Sequence, residues 1–414
     1  MRQRKFFTTI LAELAMVLML PAGAVAANSS KVLYKFKGGN DAGHPFAGLI
    51  FDAAGNLYGT TVEGGGICDR NQVPCGTVFK LSPNSDGSWK ESILYRFKGG
   101  SDGAGPYAGL IFDGAGNLYG TTLGTVFRLK PNSDGTWTES VLYSFCQLNN
   151  CADGEGSYAG LTLDGAGNLY GTTSGGGSSR GGTVFKLAPN SDGTWTESVL
   201  HSFSGPDEGS IPYGGVIFDS AGNLYGSTSV GGNGGNGGGG TVFKLTPNSN
   251  GTWKEHVLHA FTTGKDGAVP WASFTSDAAG NLYGTTTVGG SPTCNPPAGC
   301  GVVFKLNTSH KFSVVHTFTN PQGASPYAGL TFDTAGNLYG TARNGGSTDD
   351  GVVFKLAPRQ GGGWAYSVLK SFKGSPGINP YGDLVFDPAG NLYGTTWDCA
   401  VGQECRGIVF EVAP

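Results

Sequence analysis

Asp113-Gly-Ala-Gly-Asn-Leu-Tyr-Gly120 is one copy of a segment, D-x-x-G-N-L-Y-G, that the 414-residue chain repeats from Asp52, Asp113, Asp164, Asp219, Asp277, Asp333 and Asp387. The spacing of about fifty to sixty residues suits one four-stranded propeller blade with its loops and is too long for the common helical repeats. Around Asp113 the unit divides into four predicted strands, at 107–112, 117–122, 124–129 and 137–145. Each is short, rich in β-branched and aromatic residues, and bounded by turn residues. Asp113 is expected to accept backbone N–H groups across the first turn, with Gly116 supplying the positive φ. Pro131-Asn-Ser-Asp-Gly-Thr136 forms the second hairpin.

The ends of the repeat array carry the architectural argument. Lys31-Val-Leu-Tyr-Lys-Phe36 matches the fourth strand of a unit, and Gly407-Ile-Val-Phe-Glu-Val412 matches the third. Pairing them removes two open sheet edges. The expected fold is all-β, a seven-bladed β-propeller with four antiparallel strands per blade, closed by the N-terminal strand, which completes the last blade. Residues 27–414 form this single domain.

Gly 74 and Pro 21 make the chain turn-rich, while 38% hydrophobic and 11% aromatic residues supply a core. A net charge of −4 with 14% charged residues leaves no basic face for nucleic acid and no polybasic run for anionic lipid. Uncharged ligands fit this composition better. Arg2, Arg4 and Lys5, then the apolar run 6–20, then Ala24-Val25-Ala26 read as a secretory signal at 1–26. The run is short for a membrane span. A mature chain without a membrane span, monomeric, and secreted or held in the periplasm or cell envelope, is the expectation. Eight cysteines fall in four local pairs, Cys68/Cys75, Cys146/Cys151, Cys294/Cys300 and Cys399/Cys405, which suits disulfides stapling loops in an oxidising compartment. With no C-x-x-C or Cys/His cluster, neither metal nor cofactor is implied.

The motifs Gly-Asn-Leu-Tyr-Gly-Thr-Thr and Gly-Thr-Val-Phe-Lys-Leu, spread over nearly all of 27–414, resemble the repeat of the GloVer-type, or choice-of-anchor, tandem-repeat proteins. The unit is similar, more distantly, to NHL and SMP-30-like propeller repeats. The resemblance implies an exported or surface-attached propeller, with no common activity and no site residues to carry over. No sorting segment follows Pro414, so attachment through a C-terminal anchor is not expected. Asn84-Ser-Asp-Gly-Ser-Trp89 and its copies lack the Asp-x-Gly spacing of a sialidase Asp-box and read as hairpin turns.

In a propeller the two hairpin types share one face, and the second-to-third and fourth-to-first connections share the other. Loops on that second face vary in length from blade to blade and hold every cysteine, so it is the candidate functional face. An aromatic stands at the start of each innermost strand, close to this face: Phe46, Tyr107, Tyr158, Tyr213, Trp271, Tyr327 and Tyr381. These side chains either stack on sugar rings or apolar ligand faces, or wedge between blades. Asp383 and Ser273 replace the glycine found at Gly48 and Gly109, an asymmetry that suits one off-centre ligand. Asp349, Asp350, Asp398 and Glu404 are either oxygen ligands or solvated surface charge. His201, His259 and His316 replace Tyr143 in outer strands of separate blades, and His44 is the one histidine placed for catalysis. No catalytic set is assigned. The leading expectation is a binding module for a glycan, protein or envelope component. The alternatives are a lyase- or lactonase-type enzyme at the central mouth and a structural envelope protein.

Overall fold

The repeated turn explains its own spelling. Asp113 Oδ1 accepts the backbone N–H groups of Ala115 and Asn117, both at 2.9 Å, while Oδ2 accepts Asn117 Nδ2 at 2.7 Å and the Tyr119 hydroxyl at 3.0 Å. Gly116 closes the turn at φ 80°, a conformation that a Cβ disfavours. The other six aspartates hold the corresponding tyrosine in the same way. Burial pushes these carboxyls up, but the donors around them outweigh it and hold them below the usual carboxylate range. Asp113→Ala is expected to destabilise the protein by about 1–3 kcal/mol, the cost of stranding hydrogen-bond partners of an ionised group. Asp113→Asn recovers part of that loss. The measurement is the urea midpoint, and an unchanged midpoint for Asp113→Ala refutes the clasp.

In the computed structural model, which describes residues 30–65, 75–232, 238–374, 377–400, 402 and 404–414, the strands form seven antiparallel sheets of four. The signal at 1–26 and Cys68 lie outside the described residues. In the second blade the strands are Ile111–Phe112, Leu118–Thr121, Thr125–Pro131 and Trp137–Ser144. The innermost one is two residues long, shorter than the predicted 107–112. Seven inner strands converge on one axis, and the upstream residues leave their own ladder to bond the neighbouring blade. Thr60 Oγ1 of the first blade donates to Ala108 O of the second at 2.9 Å. Thr121, Thr172, Thr285 and Thr341 repeat this stitch onto Ala159, Gly214, Ala328 and Gly382, and Thr395 of the last blade donates to Ala47 O of the first. In the fourth blade Ser227 stands in the threonine position, and Ser229 Oγ reaches Pro270 O instead.

The seventh sheet has the order Ser30–Lys35, Ile408–Val412, Leu392–Thr396, Val385–Phe386. Its outer register, Val32↔Phe410 then Tyr34↔Val409, skips one residue. Phe79↔Ile93 then Val78↔Tyr95 in the first blade skips the equivalent residue, so the N-terminal strand reproduces the bulge of an ordinary fourth strand.

Packing is concentrated at the seams between blades. The phenylalanine that follows each fourth strand meets the third-strand phenylalanine of the next blade, as in Phe97–Phe127 with ring centroids 5.0 Å apart. The series runs through Phe145–Phe185, Phe203–Phe243, Phe261–Phe304, Phe318–Phe354 and Phe372–Phe410, and Phe36–Phe79 joins the last blade to the first. The glycine of N-L-Y-G makes room for these rings. A Cβ on Gly120 would lie 2.6 Å from Phe127 Cζ and 2.9 Å from Leu110 Cδ2.

Candidate functional site

Each rim aromatic is aimed by the residue two places before it. His44, Gly105, Gly156, Ile211, Val269, Ser325 and Asn379 all take positive φ between 53° and 71°. The backbone N–H of each donates across the seam to the variable loop of the preceding blade: His44 to Arg406 O, Gly105 to Cys75 O, Gly156 to Leu123 O, Ile211 to Gly181 O. Val269 to Gly239 O, Ser325 to Cys300 O and Asn379 to Asp350 O complete the circuit. Proline follows at every position but Ser157, restricting φ just before the aromatic.

The result is a closed girdle. Consecutive ring centroids are 5.4 Å apart for Phe46–Tyr107, Tyr107–Tyr158 and Tyr158–Tyr213, 3.7 Å for Tyr213–Trp271, 5.3 Å for Trp271–Tyr327, 5.1 Å for Tyr327–Tyr381 and 4.7 Å for Tyr381–Phe46. All seven line a cavity of about 240 Å³ on the propeller axis, together with Gly48, Gly109, Ser273 and Asp383. The rings therefore touch one another around a mouth and also face its lumen. Burial raises the phenols of Tyr107, Tyr213 and Tyr381 above their ordinary range, so they remain neutral hydrogen-bonding groups.

The two departures from glycine have structural partners. Ser273 Oγ accepts Gly215 N at 2.9 Å, and Asp383 Oδ1 accepts Gly329 N at 2.6 Å, each bridging to the preceding blade. Asp383 is open to the lumen yet enclosed by the blades, and that enclosure raises its carboxyl while the Gly329 N–H pulls it back.

Just outside the girdle, the place immediately after each second strand is a slot that sequence reasoning did not single out as part of the site. Val62, Leu123, Ser174, Ser229 and Thr287 fill this slot in five blades, Arg343 and Trp397 in the last two. The change from small or aliphatic residues to Arg and Trp in adjacent blades was the available signal. Trp397 stacks on His44 with centroids 4.7 Å apart and an interplanar angle of 9°, and it meets Phe46 and Tyr381 edge-on at 5.9 Å. His44 Nδ1 lies 3.0 Å from Glu63 Oε1, its Nε2 lies 3.9 Å from Asp398 Oδ2, and the hydrogen bond from His44 keeps the Glu63 carboxyl low.

The other candidates are not gathered here. His201 and His259 pair with Glu208 and Asp266 at outer seams, and His316 stacks on Tyr366. Asp349 Oδ1 accepts Gly345 N and Asp350 Oδ2 accepts Thr348 Oγ1. Among the described residues, Asp349, Asp350, Asp398 and Glu404 do not converge on one point. Disulfides join Cys146 to Cys151, Cys294 to Cys300 and Cys399 to Cys405 within the variable-face loops. No described helix is long and apolar enough to cross a membrane.

The family model described as the Gloeobacter/Verrucomicrobia repeat matches residues 69–296 and 220–414, and the chain belongs to that family. No curated protein sequence matches it. Among solved structures it is similar to a streptogramin B lyase, at 14% identity over 93% of this chain and 97% of that one, with a TM-score of 0.53. It is also similar to the virginiamycin B lyase of Staphylococcus aureus, at 13% identity over 94% and 99% of the two chains, TM-score 0.52. The extracellular domain of a protein described as a hybrid two-component system from B. thetaiotaomicron aligns at 12% identity over 91% of this chain and 39% of that one, TM-score 0.54. At these identities the likeness is one of fold.

Proposed function

We propose that this member of the Gloeobacter/Verrucomicrobia repeat family is an exported, monomeric binding propeller that recognises a glycan of its surroundings or of the cell envelope through the aromatic mouth of its variable face. The observation that carries the reading is the closed girdle of seven aromatic side chains lining an open cavity. Rings present apolar faces to the C–H faces of a sugar, and neutral tyrosine hydroxyls at their edges supply hydrogen bonds. Export is supported by the signal-like segment at 1–26 and by the three disulfides among the described residues. On a glycan array followed by calorimetry, the wild type is expected to select a subset of oligosaccharides. Trp271→Ala and Tyr327→Ala are each expected to weaken binding about 30-fold, the loss of a central aromatic contact. Unchanged affinity in both variants, with folding intact, removes the aromatic mouth from recognition.

A second reading, a propeller enzyme of the lyase or lactonase type, draws on His44, whose ring is flanked by Glu63 and Asp398 beside the mouth. It requires that bound sugar or lactone be converted to product and that His44→Gln abolish conversion while leaving affinity in place.

A further inference from the structure

We propose that the mouth selects glycans bearing an anionic group on a sugar ring, a carboxylate or a sulfate, and that Arg343 is the residue that reads it. The inference rests on the glycan reading above and names the class of glycan.

Arg343 is the cation that the rim slot carries, where the other blades place Val62, Leu123, Ser174, Ser229, Thr287 and Trp397. Its guanidinium lies over two rings of the girdle, with Cζ 5.3 Å from the Tyr381 centroid and 6.0 Å from that of Tyr327. The backbone beneath it is clamped on both sides: Arg343 N donates to Ser325 O at 3.2 Å, and Arg343 O accepts Asn379 Nδ2 at 3.1 Å. The half-buried guanidinium is therefore held at a fixed point of the rim, pre-organised by stacking.

Among the described residues Arg343 enters no ion pair, and its buried Nε has no hydrogen-bond partner. Of the acids near the mouth, Glu63 bonds His44 and feels Arg406, Asp398 lies against His44, and Asp383, which lines the lumen, accepts the Gly329 N–H through Oδ1. A partly desolvated guanidinium that hydrogen-bonds the Tyr381 hydroxyl, keeps an unpartnered Nε–H and lies beside aromatic platforms is completed by donating to an oxyanion, whose paired oxygens match its planar fork. The composition of the chain favours uncharged ligands, but a net charge averages the whole surface, and this site departs from it locally.

The test uses the folded mature chain and matched probes: an oligogalacturonate, its full methyl ester, and a sulfated galactan oligosaccharide of similar length, titrated at two salt concentrations. Wild type is expected to bind at least one anionic probe about tenfold more tightly than the ester, a preference that weakens with salt. Arg343→Gln is expected to abolish the preference while binding of the ester persists, and Arg343→Lys to keep a reduced preference. The carboxylated and sulfated arms identify which anion is read. Equal binding of acid and ester by wild type, unmoved by Arg343→Gln, overturns the anionic assignment and leaves the glycan reading standing. Absence of binding to every probe and to the array overturns both. A melting curve for each variant shows that it has folded, and Arg343→Lys keeps the test interpretable if Arg343→Gln has not.

Discussion

Removing residues 30–36 is expected to collapse the propeller's stability, with aggregation or a loss of the cooperative melt near the parent temperature. Without Ser30–Lys35 the last blade has three strands, and the edge of Ile408–Val412 stands unpaired, a template for pairing with other chains. Phe36, 0% exposed, also leaves the seam where it packs edge-to-face on Phe79. Phe36→Ala alone is expected to cost about 3–5 kcal/mol, the range for emptying a buried phenylalanine site. Lys31→Ala is the control, since Lys31 is 66% exposed and its contact with Glu411 spans 3.5 Å. A pair of that kind contributes about 0–1 kcal/mol. Differential scanning calorimetry of the three variants decides the matter. A truncated chain that melts like its parent contradicts circular closure and, with it, the mouth.

Stability is expected to fall between pH 6.5 and pH 9, by about 2 kcal/mol after discounting for the solvent that reaches these groups. The cause lies in four seams that bury acids in pairs. The Tyr34 hydroxyl lies 2.9 Å from Asp41 Oδ1 and 3.2 Å from Glu91 Oε2, and burial together with Asp41 pushes the Glu91 carboxyl up to about 8, against weaker opposing pulls from Tyr34 and then Arg96. Glu139, Glu197 and Glu255 are pushed up to about 7, first by burial and then by Asp102, Asp153 and Glu208. A carboxyl with a raised folded-state pKa favours folding most below its ordinary value of 4.5, and that contribution is lost as pH rises through 7 to 8. His201, His259 and His316, held down by burial, oppose this below pH 6.5, where charging them favours unfolding, so the alkaline window isolates the glutamates. Glu91→Gln is expected to flatten the profile above pH 7. A wild-type profile already flat from pH 6.5 to 9 rules the mechanism out.

These seams also show how blade-to-blade differences hang together. Where the glutamate is replaced by Phe312 or Tyr366, the facing group is His259 or His316, stacked on the new ring at 3.7 Å and 4.1 Å. In the sequence these changes read as unrelated substitutions in separate repeats, because the partners are 53 and 50 residues apart on different blades.

The seven-bladed closed architecture was legible in the sequence because its determinants are local and repeated. An aspartate clasp, a turn glycine and a strand glycine that clears a phenylalanine each act within one blade or one seam, and each is written seven times. The rim aromatics were legible for the same reason. What only the tertiary structure decided is which unrepeated residues meet at the mouth. Arg343 is a strand-end residue like Val62 until folding lays it over Tyr327 and Tyr381. His44 and Trp397 stand at opposite ends of the chain and stack only because the ring closes. Local hydrogen bonding sets the blade, whereas the site arises from contacts between blades, whose partners are joined by the circle and not by proximity along the chain.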